Sequence, residues 1–232
     1  MASISATNRL RIVIHIPPPA INSRFGQARQ CVYGPFTWDR CPRLLGGNLG
    51  RVILVHEGTA ADLPKICDIK VHNWADTYRP LLDPEVLRPF LDPATQLAEL
   101  RRDFLRPDGL LLVAQEGSMD RDEDISGFAL TYVSADPAPW LESLHVLRES
   151  RGQGTGTRLM QATAAELISL GHNSMRLGVI SGNLAAARFY ERLGGMLLGV
   201  EPVSWAPGVT HMVYAWSDLR PLVEIRTSTS SG

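Results

Sequence analysis

Lysine is nearly missing from this 232-residue chain: Lys65 and Lys70 are the only two among 23 basic side chains, and arginine supplies the rest. With no Gly-Lys-Ser/Thr anywhere, a Walker-type triphosphate loop is excluded. The 24 acids hold the formal net charge at −1, and the arginines are scattered among them rather than gathered in a stripe, so a nucleic-acid surface is not expected. Cysteine is scarce too. Cys31, Cys41 and Cys67 form no CxxC pair and are odd in number, which suits a reducing cytoplasm better than a disulfide framework. Six histidines include no HExxH, so no metal is expected. No apolar run approaches the roughly 20 residues that span a bilayer, so no membrane partner is expected either.

What is present is a 44% hydrophobic composition, enough for one substantial core in one main domain. Residues 1–49 differ from the rest. Leu10–Ile16 alternates like a short strand, but three prolines end it, and the remainder of the segment has no helical or strand period. Several arginines there face a single acid, Asp39, a pattern compatible with an organellar transit sequence; the other reading is a poorly ordered leader. At the other end, residues 222–232 finish in a small, polar tail expected to be disordered.

Between these lies an alternating α/β pattern. The stretch from Arg51 reads as a strand, and Thr59 can cap a helix that runs through Leu63, Ile66, Val71 and Trp74. Two Asp-Pro pairs, at 83–84 and 92–93, start further helical turns reaching Phe104. Leu110–Gln115 and Ile125–Val133 form a hairpin around the acidic loop Gly117–Asp124, which lacks the spacing of a calcium loop. The organising stretch is 140–195. In it a strand containing Leu144 and Val146 runs into Arg151–Gly156, RGQGTG, and then into a helix with apolar positions Leu159, Met160, Leu167 and Ile168. A glycine loop between a strand and a helix N-terminus is an anion site, because unpaired backbone N–H groups and the helix dipole favour negative charge there. It is not the dinucleotide fingerprint, which would need glycine at Thr157 or Leu159. The last elements are strands at MLLGV, from Met196, and at Thr210–Trp216, joined through Pro202 to Pro207.

Arg151, Gly154 and Gly156 match the pattern R/Q-x-x-G-x-G/A placed directly after a strand. Downstream, Asn183 opens NLAAARFYERLGG, a short helix with a Phe-Tyr pair closing on glycine. The two motifs together resemble those of the GNAT N-acetyltransferases, over residues 50–221. The resemblance implies an α/β fold with a mixed, twisted sheet and helices on both faces. It implies acetyl transfer from acetyl-CoA, as cosubstrate, to a primary amine by direct attack in a ternary complex. Two alternatives stay open: a non-catalytic acyl-CoA-binding sensor, and an enzyme using another acyl-CoA. Exposed sheet edges of such folds often pair, so a homodimer is a candidate assembly.

The resemblance also assigns candidate residues. Backbone groups across Arg151, Gly152, Gln153, Gly154, Thr155 and Gly156 are expected to hold the pyrophosphate, with the Arg151 guanidinium adding charge. Val146 and Leu147 are expected to pair with the pantetheine arm as an extra strand would, and Asn183 to hydrogen-bond that arm or cap its helix. Tyr190 sits where the family's general acid does. Glu142, on the strand before the loop, is the candidate base, with His145 the runner-up, expected on the opposite face. His72, Trp74 and Tyr78 are expected to line the acceptor pocket. Arg148 stands where many members have proline. The identity of the acceptor amine is not legible.

Overall fold

The computed structural model describes residues 53–116 and 125–224. The expected strand at Leu10–Ile16, the N-terminal extension, the start of the first strand at Arg51, the hairpin tip and the polar tail lie outside the described residues.

Seven strands form one mixed sheet in the order β1-β2-β3-β4-β5-β7-β6. They are β1 (Ile53–Glu57), β2 (Gly109–Glu116), β3 (Ile125–Tyr132), β4 (Trp140–Val146), β5 (Met175–Ile180), β6 (Met196–Pro202) and β7 (Thr210–Trp216). Between them run α1 (Leu63–Tyr78), α2 (Pro84–Leu91), α3 (Pro93–Phe104), α4 (Thr155–Ser169), α5 (Leu184–Arg192) and the short α6 (Arg220–Glu224). The helix starts are set by local chemistry. The Thr59 N–H donates to Asp62 Oδ2 at 2.7 Å ahead of α1, and the carboxylates of Asp83 and Asp92 accept from the Glu85 and Thr95 amides at 2.8 and 3.0 Å. Each of these three helices has proline in its first turn, where the missing N–H costs nothing.

Two apolar clusters sandwich the sheet. Leu112, Ala114, Ala129, Leu141, Leu177 and Val179 face α4, α5 and α6, where Leu159, Met160, Leu167, Tyr190 and Leu222 meet them. The alternate residues Leu111, Val113, Phe128 and Leu130 face α1 and α3, packing on Ile66, Ile69 and Leu100. The period-two exchange of Leu111 and Val113 with Leu112 and Ala114 explains why β2 reads as a continuous apolar run: it is covered on both faces. The second cluster contains no residue of β5, β6 or β7. On that side β5 and β7 place Arg176, Gly178, Ile180, His211 and Val213, which join neither cluster.

One irregularity organises the site. Opposite β3, Leu130 pairs with Ser143 and Thr131 with Leu141, so Glu142 is an extra residue, a β-bulge. A bulge bends its strand and increases the local twist. Next to it, β4 and β5 run parallel but pair only at Trp140↔Arg176 and Leu141↔Leu177. Beyond those two positions β4 stays with β3, β5 pairs along its full length with β7, and a wedge opens between them.

Candidate active site

The loop lies at the far end of this wedge. Gly152 and Gly154 have φ of 75° and 93°, the left-handed region that L side chains avoid, and Gly154 is the residue immediately before α4. With the chain turned this way, the first amides of α4 face outward as an N-terminal anion cradle. Thr155 is fully buried and its hydroxyl points inward, 3.4 Å from the Ser150 carbonyl, so its contribution to the cradle is its backbone N–H. A Cβ on Gly156 would come within 3.2 Å of Phe189 Cζ, so glycine there lets the first turn of α4 approach α5. The two sequence motifs thus touch.

The guanidinium of Arg151 turns back toward the wedge. Its Nε donates to the Val146 carbonyl at 3.1 Å and its Nη2 to Oδ1 of Asn73, while Asn73 Nδ2 donates to the same Val146 carbonyl at 3.0 Å. Arg151 therefore ties the loop to β4 and to α1. Leu147 donates its N–H to Ser126 on the β3 side at 2.8 Å. Because backbone groups alternate along a strand, Val146 and Leu144 turn theirs to the wedge and Leu147 does not. Of the two residues expected at the pantetheine arm, Val146 turns its backbone to the wedge, its carbonyl already accepting from Arg151 and Asn73, and Leu147 turns its N–H to β3.

On the other wall, Asn183 caps α5, accepting from the Ala186 amide at 3.2 Å, and its Nδ2 donates to the Tyr78 hydroxyl at 3.4 Å. Tyr190, about two helical turns further on, is only 8% exposed yet lines the wedge. Burial, with Tyr78 nearby, pushes its phenol well above the ordinary value, so it stays protonated throughout the neutral range. Burial likewise raises Tyr78, with the Asn183 contact opposing. Two phenols and an amide are thereby gathered at one point.

Glu142 and His145 are three residues apart and simple alternation puts them on opposite faces. The structure puts them on the same face. The bulge at Glu142 shifts the alternation by one, so both sense Lys70 of α1. Glu142 opens to the cleft, accepts from Trp140 Nε1 at 3.0 Å, and has its carboxyl pKa raised by desolvation. His145, packed on Phe128 at 5.3 Å between ring centroids, is depressed to about 3 by desolvation and by the charges of Lys70 and Arg151. It is neutral at physiological pH. The Lys70 amine itself lies 3.9 Å from Glu99 of α3.

Trp74 and Tyr78 line the cleft as expected, their rings 4.6 Å apart. His72 does not. On α1 the cleft-facing residues are Lys70, Asn73, Trp74, Thr77 and Tyr78, a helical stripe that turns His72 outward, where its Nδ1 lies 2.7 Å from the Asp68 carbonyl. Two further aromatics join the group. Phe90 of α2 stacks on Trp74 at 3.8 Å, and Trp205, from the β6–β7 connection, meets both edge-on at 4.9 and 6.0 Å. Neither is marked by any local pattern, since each reaches the cleft from a separate element. Asn73 had a signal: an amide on the buried stripe of a helix, 5% exposed, needs a partner. Among the described residues no three metal-ligating side chains lie together, and no helix is long and apolar enough to cross a membrane.

Comparison with known proteins agrees with this geometry. The family model described as "Acetyltransferase (GNAT) family" matches residues 70–195. Mycothiol acetyltransferase from Mycobacterium leprae is 36% identical over 110 residues, covering 44% of this chain and 35% of that protein. The chain thus spans about a third of the length of the curated relatives it matches. Among solved structures, PaiA N-acetyltransferase from Thermoplasma acidophilum, in complex with coenzyme A, superposes with a TM-score of 0.55 at 20% identity, over 71% of this chain and 99% of that one. An acetyltransferase of the GNAT family from Staphylococcus aureus Mu50 gives 0.56 at 15% identity, over 73% and 100%. These structural likenesses establish the fold: a seven-stranded mixed sheet split between β4 and β5. With the family model matching more than half of its length, the chain belongs to the acetyltransferase (GNAT) family.

Proposed function

We propose that the protein transfers the acetyl group of acetyl-CoA to a primary amine by direct attack within a ternary complex. The observation that carries this reading is the wedge. A parallel strand pair that separates after two residues, with a glycine-built anion cradle at its far end, offers one continuous path from a phosphate site to the backbone groups that β4 turns to the wedge. Acetyl-CoA supplies the activated thioester; the chain supplies binding, orientation and proton handling.

The amides from Arg151 to Gly156 hold the pyrophosphate, and Leu144 and Val146 present backbone groups to the pantetheine arm. Asn183, positioned by its cap and by Tyr78, adds an amide to the same arm. The acceptor enters from the face bounded by Trp74, Tyr78, Phe90 and Trp205. An alkylammonium of pKa ~10.4 must lose a proton before attack, at a cost on the order of 4 to 5 kcal/mol at pH 7. Glu142 takes that proton: its raised pKa makes it a better base than an ordinary carboxylate. After attack, the C–S bond breaks and Tyr190, kept protonated by burial, donates to the leaving sulfur. The acceptor is a small-molecule or peptide amine.

Titration calorimetry with acetyl-CoA and CoA tests the reading. Low-micromolar binding is expected in the wild-type protein. A Gly154→Trp variant, which forces a large side chain onto a φ of 93° within the cradle, should lose it. A folded wild-type protein that binds neither ligand would overturn the proposal. Binding without transfer to any of a broad set of amines would instead favour an acyl-CoA sensor.

A further inference from the structure

The mechanism above leaves one group at the split unused. Glu142 and Gly178 are the first residues of β4 and β5 beyond their last pairing, and so form opposite lips of the wedge. Gly178 brings no side chain of its own. The space a Cβ would take there is filled by the imidazole of His211, whose Nδ1 lies against it. A glycine inside a strand marks such a close approach. His211 lies on β7 opposite Ile180 of β5, so a ring that reaches Gly178 leans back along β5 toward the split.

Three neighbouring strands surround this ring. Its Nε2 is 4.0 Å from Glu201 Oε2 on β6, and Glu201 is in turn 3.9 Å from Arg176 Nη2 on β5. Trp140 of β4 lies 5.9 Å from it between ring centroids, and the same indole donates to Glu142. Glu142 and His211 thus both neighbour Trp140 and line the same cleft from the two lips of the split. The charged groups around the imidazole oppose one another: desolvation and Arg176 favour its neutral form, Glu201 its cation. It is neutral at pH 7 and has a carboxylate behind it.

We propose that His211 is a second proton acceptor for the incoming amine, an inference that rests on the acetyl-transfer reading. With its own proton on Nε2, toward Glu201, the ring holds its Nδ1 lone pair over Gly178. The N–H bond of the acceptor's ammonium breaks and the proton goes to Nδ1, giving an imidazolium beside Glu201. The freed lone pair attacks the thioester carbonyl, and the imidazolium later returns its proton to water. Glu142 does the same from the other lip, so each base covers part of the loss of the other.

The test compares two nucleophiles with the full chain at saturating acetyl-CoA: n-butylamine, protonated at neutral pH, and hydroxylamine, which is not. His211→Gln is expected to lower kcat/KM for butylamine by about tenfold or more, within the range of general base catalysis. Hydroxylamine, needing no base, should stay within about twofold of wild type, and acetyl-CoA binding should not change. Gly178→Ala, which displaces the ring and leaves His211 in the chain, should give the same pattern more weakly, and it carries the test if the glutamine variant does not fold. A folded His211→Gln variant that keeps the wild-type butylamine rate, or that loses both nucleophiles equally, would overturn the role. Wild-type protein that binds acetyl-CoA but acetylates neither nucleophile removes the acetyl-transfer reading and the role of His211 with it.

Discussion

The sheet is two different surfaces joined at the split. On one side, β2 to β4 carry helices on both faces, and β3 is buried along seven of its eight residues. On the other, β5 and β7 contribute to the first cluster only, and six of the seven residues of β6 are exposed. The covered half holds the loop, the strand amides and Glu142, all of which must keep a fixed geometry. The other half presents Gly178, His211 and the Trp205 connection, at the face proposed for the acceptor. Rigidity and access have been assigned to opposite sides of one strand boundary.

The largest expected effect tests the rigid half. Phe128 is fully buried between Leu130, Ile66 and His145, and Phe128→Ala should cost about 3 to 5 kcal/mol, the range for an aromatic removed from a core. Urea unfolding followed by tryptophan fluorescence reads this directly. A loss below about 1 kcal/mol would mean that the α1–α3 side is loosely packed, and the contrast between the halves would not hold.

Next in size is Tyr190, which stands at the boundary. A thiol of pKa near 8.5 leaves fairly well without help, so Tyr190→Phe should lower kcat about ten- to a hundredfold with acetyl-CoA affinity unchanged. Tyr78 sharpens this test, since it lies close enough to raise the Tyr190 pKa. If Tyr190→Phe retains wild-type kcat across pH while Tyr78→Phe does not, the donor is the α1 phenol.

How much of this was legible in the sequence follows from how local each signal is. The glycine loop, the Asn183 cap and the Tyr190 position depend on residues within a few places of one another, and they could be read. The strands could be read wherever burial is one-sided, or wherever a long apolar run implied two covered faces, as in β2. The split could not. It depends on one inserted residue, Glu142, and a bulge leaves no compositional trace in WLESLHV. That same insertion put His145 on the face where alternation did not place it. His72 was misassigned because the apolar stripe of α1 fixes its buried face but does not say which neighbouring polar residues border the cleft. Phe90, Trp205 and His211 come from three separate elements, and only their meeting in space makes them part of a site.

A smaller effect separates the halves by pH. His145 has its pKa lowered from 6.5 to about 3, so the folded state binds fewer protons than the unfolded chain between those values. Stability from this group is fully present above 6.5 and is lost as pH falls toward about 3. The slope is at most about 1.4 kcal/mol per pH unit. Urea midpoints at pH 7 and pH 5 should therefore differ more in wild type than in His145→Gln. Equal differences would mean that the histidine titrates normally, and hence that water reaches the α1 side of β4.

The smallest expected effect lies on β6. Met196, Leu197, Leu198 and Val200 are each more than half exposed, and Leu198 is the bulged residue, since Leu197 pairs with Tyr214 and Gly199 with Val213. An edge strand with four exposed apolar side chains is a template for pairing, which nature usually blunts with charge or with a bulge. Here only the bulge is present within that run. If β6 is a free edge, Leu198→Ser should change stability by less than about 0.5 kcal/mol, as for other surface positions. A larger loss that grows on dilution would mean that a second copy covers the edge in solution. Among the described residues, the division between a packed half and an open half would then narrow to the groove proposed for the acceptor.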